Sequence, residues 1–151
     1  MKIKTDIANN SHRLKEVSGE IAERLESKGA GGQLVFDVRV AVEEALRNAM
    51  LHGNRMDPGK KVNIEAEFGE KAVRITVIDE GSGFDHQEIP DPTDEENILK
   101  TGGRGVFLIK HLMDEVKYED GGRKVVMVKY FKAAERKNIK CDREDINADK
   151  S

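Results

Sequence analysis

Between residues 14 and 78 the hydrophobic period changes from helical to extended, and that change restricts the fold more than any other feature. Apolar residues recur at spacings of three and four along Leu14, Val17, Ile21 and Leu25. They do so again along Val38, Val42, Leu46 (or Ala45) and Ala49. Each set is one buried stripe on a helix. From Val62 the period becomes two: Val62, Ile64 and Ala66 up to Phe68, then Val73, Ile75 and Val77 running on into Ile78. These are half-buried strands joined across Gly69-Glu70-Lys71 as an antiparallel hairpin. Helices with one apolar stripe and strands with one apolar face satisfy both by stacking as two layers.

The punctuation completes the order. Ile3, Thr5 and Ile7 alternate with polar neighbours and predict a short first strand. Asn10 and Ser11 are good N-caps for the first helix, which Gly29 to Gly32 stop. The second helix is predicted from Gln33 to His52, with Gly53-Asn54 closing it. A turn follows at Asp57-Pro58-Gly59. Glu80 to Gly103 lacks periodicity and reads as a long loop, a feature usually tied to function or disorder. Helix returns over Arg104–Met113, with Val106, Ile109 and Leu112 on one side and Phe107 and Met113 read as helix core. A last hairpin, Val116–Glu119 and Val125–Phe131, turns at Asp120-Gly121-Gly122. The expected fold class is α/β (α+β): a two-layer sandwich of a mostly antiparallel, mixed sheet with about three helices on one face. Residues 1–131 form the expected domain. Residues 132–151, about half of them charged, are expected to be a flexible tail.

Composition narrows the function. The 151 residues are 37% hydrophobic and 36% charged, with a net charge of −3, enough for one core beneath a well-solvated surface. Acidic and basic residues are interspersed, so no nucleic-acid or anionic-lipid surface is expected. No apolar run approaches the roughly 20 residues needed to span a bilayer, and no signal-peptide core is evident at the N-terminus. With the lone Cys141 unable to form an internal disulfide, a cytoplasmic protein is expected. Cys141 itself reads as an exposed free thiol. Four histidines and one cysteine make no zinc pattern, and His86 reads as a solvated loop residue.

Three short segments carry chemistry. Glu44, Asn48 and His52 are spaced by four, so they share one edge of the second helix's apolar stripe. A carboxylate there can serve as a base, and an amide oxygen can ligate a hard cation; a solvated helix face is the plainer reading. Asp79-Glu80-Gly81-Ser82-Gly83 follows directly on an apolar strand. An Asp so placed can accept from the exocyclic amine of adenine, and Gly81 and Gly83 permit close approach of a ligand; an ordinary Asp-Gly turn is the alternative. Thr101-Gly102-Gly103-Arg104-Gly105 opens a helix, whose free N–H groups suit phosphates; a hinge is the alternative, and for Arg104 a surface position. Neither a Walker A loop nor a dinucleotide fingerprint is present.

The order Glu-x-x-x-Asn on a helix, Asp-x-Gly-x-Gly after a strand, and Gly-x-Gly opening a helix resembles the Bergerat-fold (GHKL, histidine-kinase-like) ATPases over residues 1–131. Within them, Glu44 to Gly53 and Gly103 to Lys110 look most like the anti-sigma-factor serine/threonine kinases of bacterial partner-switching systems. The resemblance implies Glu44 as catalytic base and Asn48 as Mg²⁺ ligand. It implies Asp79, Gly81 and Gly83 at adenine, Gly103, Arg104 and Gly105 near the phosphates, and Glu80–Thr101 as a lid. It further implies ATP as phosphoryl donor, a small anti-sigma-factor antagonist and a sigma factor as partners, and a homodimer. A catalytically silent ATP-binding module that sequesters a partner is the rival. The sequence departs from the family pattern before the last strand, where Arg123 and Lys124 stand in place of a usual threonine. A histidine-kinase reading would use His12, which instead reads as a solvated first-turn residue.

Overall fold

In a computed structural model, residues 1–81 and 103–131 are described. The chain runs β1 (Lys2–Ala8), α1 (Ser11–Ser27), α2 (Gly32–Asn48), a π-helical turn (Ala49–Gly53), β2 (Lys61–Phe68), β3 (Ala72–Asp79), α3 (Gly103–Leu112), β4 (Glu115–Glu119), a short 3₁₀ turn (Asp120–Gly122) and β5 (Lys124–Tyr130). The five strands form one sheet in the order β1-β2-β3-β5-β4. All four described pairings are antiparallel. The expected two-layer architecture is therefore present, and β5 rather than β4 is the strand that docks on β3.

Local chemistry explains the elements. Asn10 caps α1, its Oδ1 accepting from the backbone N–H groups of His12 and Arg13 at 2.8 and 3.2 Å. The α1 stripe of Leu14, Val17, Ile21 and Leu25 is buried in full. On α2, both Ala45 and Leu46 are buried with Val38, Val42 and Ala49. The two helices are further tied by Ser18, whose hydroxyl donates to Glu43 Oε2 at 3.1 Å.

Cross-strand register carries one apolar face across the sheet. Ile64 stands opposite Val77, Val77 opposite Val125, and Val125 opposite Tyr118. Lys129 is the exception on this face, buried among apolar neighbours. Its ammonium lies 3.7 Å from Asp37 Oδ2 on α2 and 3.9 Å from Asp114 Oδ1, so the charge is matched locally.

On α3 the buried stripe is Val106, Ile109 and Met113, whereas Leu112 is only partly buried. Phe107 corrects an expectation: it is 43% exposed, not core. One step from Val106 turns a helical side chain by roughly 100°, which carries Phe107 off the stripe and onto the ring of His111, 6.1 Å between centroids. His12 is a solvent-facing first-turn residue beside Glu16, as read from the sequence. The expected tail, Cys141, His86 and the body of the expected lid lie outside the described residues.

Candidate functional site

The second helix does not stay α-helical to His52. After Asn48 it widens into the π-helical turn Ala49–Gly53, sealed by the Asn54 N–H donating to the Ala49 carbonyl at 2.7 Å, an i→i+5 bond. Such turns recur at functional sites. The widening breaks the four-residue spacing: Glu44 and Asn48 remain half-buried on one edge, while His52 is turned out to solvent. Glu44 forms an ion pair with Arg47 one turn on. Its neighbour Glu43 is occupied with Ser18 and Arg39, so of the two carboxylates Glu44 is the one turned to the site.

The π-turn presses against the end of β3. Asp79 is 5% exposed, the last residue of its strand. One carboxylate oxygen, Oδ1, accepts from the Gly81 N–H at 2.8 Å. The Asp79 N–H donates to the Arg123 carbonyl at 3.0 Å, which fixes the backbone from the other side. Burial pushes the Asp79 carboxyl above its ordinary range, against opposing pulls from the Gly81 hydrogen bond and the positive charges of Arg123 and Lys60.

These elements enclose a narrow cleft of about 20 Å³ lined by Ala45, Asn48, Ala49, Val77, Asp79, Tyr118, Gly122, Arg123 and Val125. The first two sequence segments therefore meet here: Asn48 and Asp79, far apart in sequence, share one cavity. The third joins them through Gly105. A Cβ built on Gly105 would lie 2.8 Å from Asn48 Nδ2 and 3.2 Å from Glu44 Oε2, so only glycine lets the start of α3 rest against both side chains. Gly103 begins α3. Gly83 and the Arg104 side chain are outside what the structure describes.

The sequence reading gave no site role to Tyr118 or Asn54, and it noted Arg123 only as standing where the family has a threonine. Tyr118, from β4, supplies an aromatic wall, and burial holds its phenol protonated well beyond the usual range. Arg123 contributes its carbonyl to Asp79, while its guanidinium donates to Asp120 Oδ1 at 2.8 Å. Asn54, taken from the sequence as a helix-closing residue, is 1% exposed and hydrogen-bonded on every side. A tyrosine in a strand carries no local signal of a ligand wall; only the register that sets Tyr118 opposite Val125 reveals it.

The chemistry of the donor set fits a nucleotide. A buried carboxylate beside an apolar slot can accept from an amine, a glycine at the start of a helix can admit phosphate oxygens, and an amide beside a carboxylate can offer hard oxygens to a cation. Among the described residues no group of three or more His, Cys, Asp and Glu side chains could hold a metal by itself. No helix among them is long and apolar enough to cross a membrane.

Comparison with known proteins agrees with this arrangement. The sequence profile of the histidine kinase-like ATPase domain matches residues 7–129. The chain is 34% identical over 118 residues to a serine-protein kinase RsbW of Staphylococcus epidermidis, covering 73% of this chain and 74% of that protein. It is 36% identical over 118 residues to the RsbW of Staphylococcus aureus, with the same coverage. It is 35% identical over 110 residues to that of Listeria monocytogenes, covering 68% of this chain and 70% of the relative. With its two-layer fold and its matched domain, the chain belongs to the histidine kinase-like ATPase family and is related within it to the serine-protein kinases.

Proposed function

We propose that this protein is an anti-sigma regulatory factor that transfers the γ-phosphoryl group of ATP to a serine or threonine of a small antagonist protein. The observation that carries the reading is the meeting of Asn48, Asp79 and Gly105 around one cleft, with Glu44 at its edge. In this reading Asp79 accepts from the adenine amine, with Gly81 and Gly83 admitting the base. The N–H groups at Gly103 and Gly105, with Arg104 beside them, hold the phosphate chain at the head of α3. Asn48 would hold Mg²⁺, which supplies neutralisation of phosphate charge when bound.

Glu44 takes the chemical role. The acceptor hydroxyl oxygen forms a bond to the γ-phosphorus as the bond to the β,γ-bridging oxygen breaks. The hydroxyl proton passes to Glu44, and ADP leaves with the bridging oxygen. In this reading the unphosphorylated antagonist and a sigma factor compete for this protein. A homodimer belongs to the same reading, as does a cytoplasmic location. Residues 1–131 constitute the kinase domain, followed by the charged tail.

A second reading, an ATP-binding module that sequesters its partner without phosphorylating it, is favoured by one observation: the guanidinium-bearing Arg123 lines the cleft wall. One experiment separates the two. Calorimetry with Mg²⁺-ATP and Mg²⁺-GTP is paired with a transfer assay on a candidate antagonist using γ-labelled ATP. Selective ATP binding with label on the antagonist is expected. Binding without transfer would establish the sequestering module, and absence of binding at millimolar ATP would defeat both.

A further inference from the structure

Beyond the residues assigned to the nucleotide lies a tightly coupled support. Gly53, the last residue of the π-turn, is packed so closely on Asp79 that a Cβ there would fall 2.2 Å from Asp79 Oδ2. The fit is mutual: a Cβ on Gly81 would fall 1.8 Å from the Gly53 carbonyl oxygen. Next to it, Asn54 Oδ1 accepts from the Glu80 N–H at 2.8 Å, gripping the residue between Asp79 and Gly81. The Asn54 amide donates to Asn9 Oδ1 and to the Lys61 carbonyl, both at 3.0 Å. Asn9 in turn donates to the Asp57 and Lys60 carbonyls at 2.6 and 3.1 Å. Glu80 closes the ring, its Oε1 accepting from the Lys61 N–H at 2.9 Å.

The chain leaves this clip through Arg55 and Met56 at φ of 53° and 58°, a left-handed pair that non-glycine residues adopt only when surrounding contacts compel it. The polar ring around Asn54 supplies that compulsion. The π-turn is what brings the clip into range, because its extra residue delivers Gly53 rather than a side chain to the Asp79 carboxylate.

We infer that Gly53 and Asn54 are positioning residues that set the Asp79 carboxylate, braced by the Gly81 N–H, at the angle needed to accept from the amine of adenine. The inference rests on the assignment of adenine recognition to Asp79. Neither residue touches nucleotide in this scheme; both act through Asp79. Because the atoms nearest the Gly53 Cβ position all belong to the Asp79 side chain and none to backbone, Gly53→Ala should fold and should displace the carboxylate, not the backbone.

The test compares Mg²⁺-ATP with Mg²⁺-ITP, which lacks the exocyclic amine, on the wild-type chain, Gly53→Ala, Asn54→Ala and Asp79→Asn. The Gly81 amide proton is followed by NMR without nucleotide. Gly53→Ala is expected to cut the ATP-over-ITP preference at least about fivefold, leave ITP affinity within about twofold, and shift the Gly81 amide. Asn54→Ala serves as the second variant, with the same split expected. If Asp79→Asn loses the preference while both support variants keep it, or if they weaken ATP and ITP equally, the positioning role is overturned and the adenine assignment stands. If Asp79→Asn itself keeps the preference, the adenine assignment falls and this inference falls with it.

Discussion

Lys129 Nζ donates to the Leu112 carbonyl at 2.6 Å, so a buried cation of the last strand caps the C-terminal end of the very helix whose opposite end carries Gly103 and Gly105. The same ammonium faces Asp37 and Asp114. Replacing it with methionine fills the volume but leaves the partly buried carboxylates of Asp37 and Asp114 without this cation. Lys129→Met should destabilise the fold by about 3 kcal/mol, read as a fall in the urea midpoint with an unchanged slope.

Glu44→Gln keeps the shape of the site and removes its proton acceptor. Label transfer to the antagonist should fall about 10²–10⁴-fold, while Mg²⁺-ATP affinity by calorimetry stays within about threefold. A parallel collapse of affinity would assign Glu44 to binding instead.

Gly105→Ala introduces a methyl group 2.8 Å from Asn48 Nδ2. Since the Asn48 and Glu44 side-chain ends, or the helix start, must then shift, Mg²⁺-ATP binding should weaken about tenfold or more, about 1.4 kcal/mol. Asn48→Ala should instead abolish the Mg²⁺ dependence of whatever ATP binding remains. Calorimetry with and without the cation tells the two apart.

Arg123→Thr restores a hydroxyl at the cleft wall and removes the exposed ion pair with Asp120, a contact worth about 0–1 kcal/mol. One neutral hydrogen bond to the base is worth about 1 kcal/mol, so ATP should bind about fivefold tighter with little change in thermal midpoint. Unchanged affinity would mean that the backbone carbonyl, not the side chain, is what this position contributes.

Asp79 links function to pH. Its carboxyl is raised in the folded state by burial, so the folded chain holds that proton more firmly than the unfolded chain does. Stability of the nucleotide-free protein therefore declines as pH rises from the unfolded carboxylate range through the folded one, and the penalty is complete above it. Asp79→Asn, which keeps an oxygen for the Gly81 N–H, should raise the thermal midpoint at neutral pH. That advantage should vanish in acid, where the wild-type carboxyl is protonated in both states. Differential scanning calorimetry across the acid range follows it. The variant gains stability as it loses adenine selectivity.

The elements were legible because each has a period. The α1 stripe from Leu14 to Leu25 and the alternation from Val62 to Val77 both appear in the structure as read. Sequence also placed Glu44, Asn48, Asp79 and Gly105, since their motifs depend on local spacing. What it could not supply was long-range contact. The π-turn at Ala49–Gly53 is one residue of widening inside a run whose apolar pattern continues unbroken, so periodicity passes over it. Tyr118 enters the cleft through strand register, and Lys129 occupies an apolar-facing position because its partners Asp37 and Asp114 come from other elements. Phe107 shows the reverse error: apolar character without stripe position, and hence exposure.

The placement of β5 beside β3 also has a kinetic consequence. The β2–β3 hairpin closes only a short loop, but the pairing of Ile78 with Lys124, like that of Ala8 with Lys61, must close a long stretch of chain, here one that includes α3 and β4. Closing so distant a contact costs chain entropy before any burial repays it, which slows the step. Val77 and Val125, paired neighbours that together line the sheet side of the cleft, come together only in that step. The cleft is thus completed by a long-range pairing and not by a local hairpin, and a ligand that fills it would act chiefly on the rate at which β3 and β5 separate.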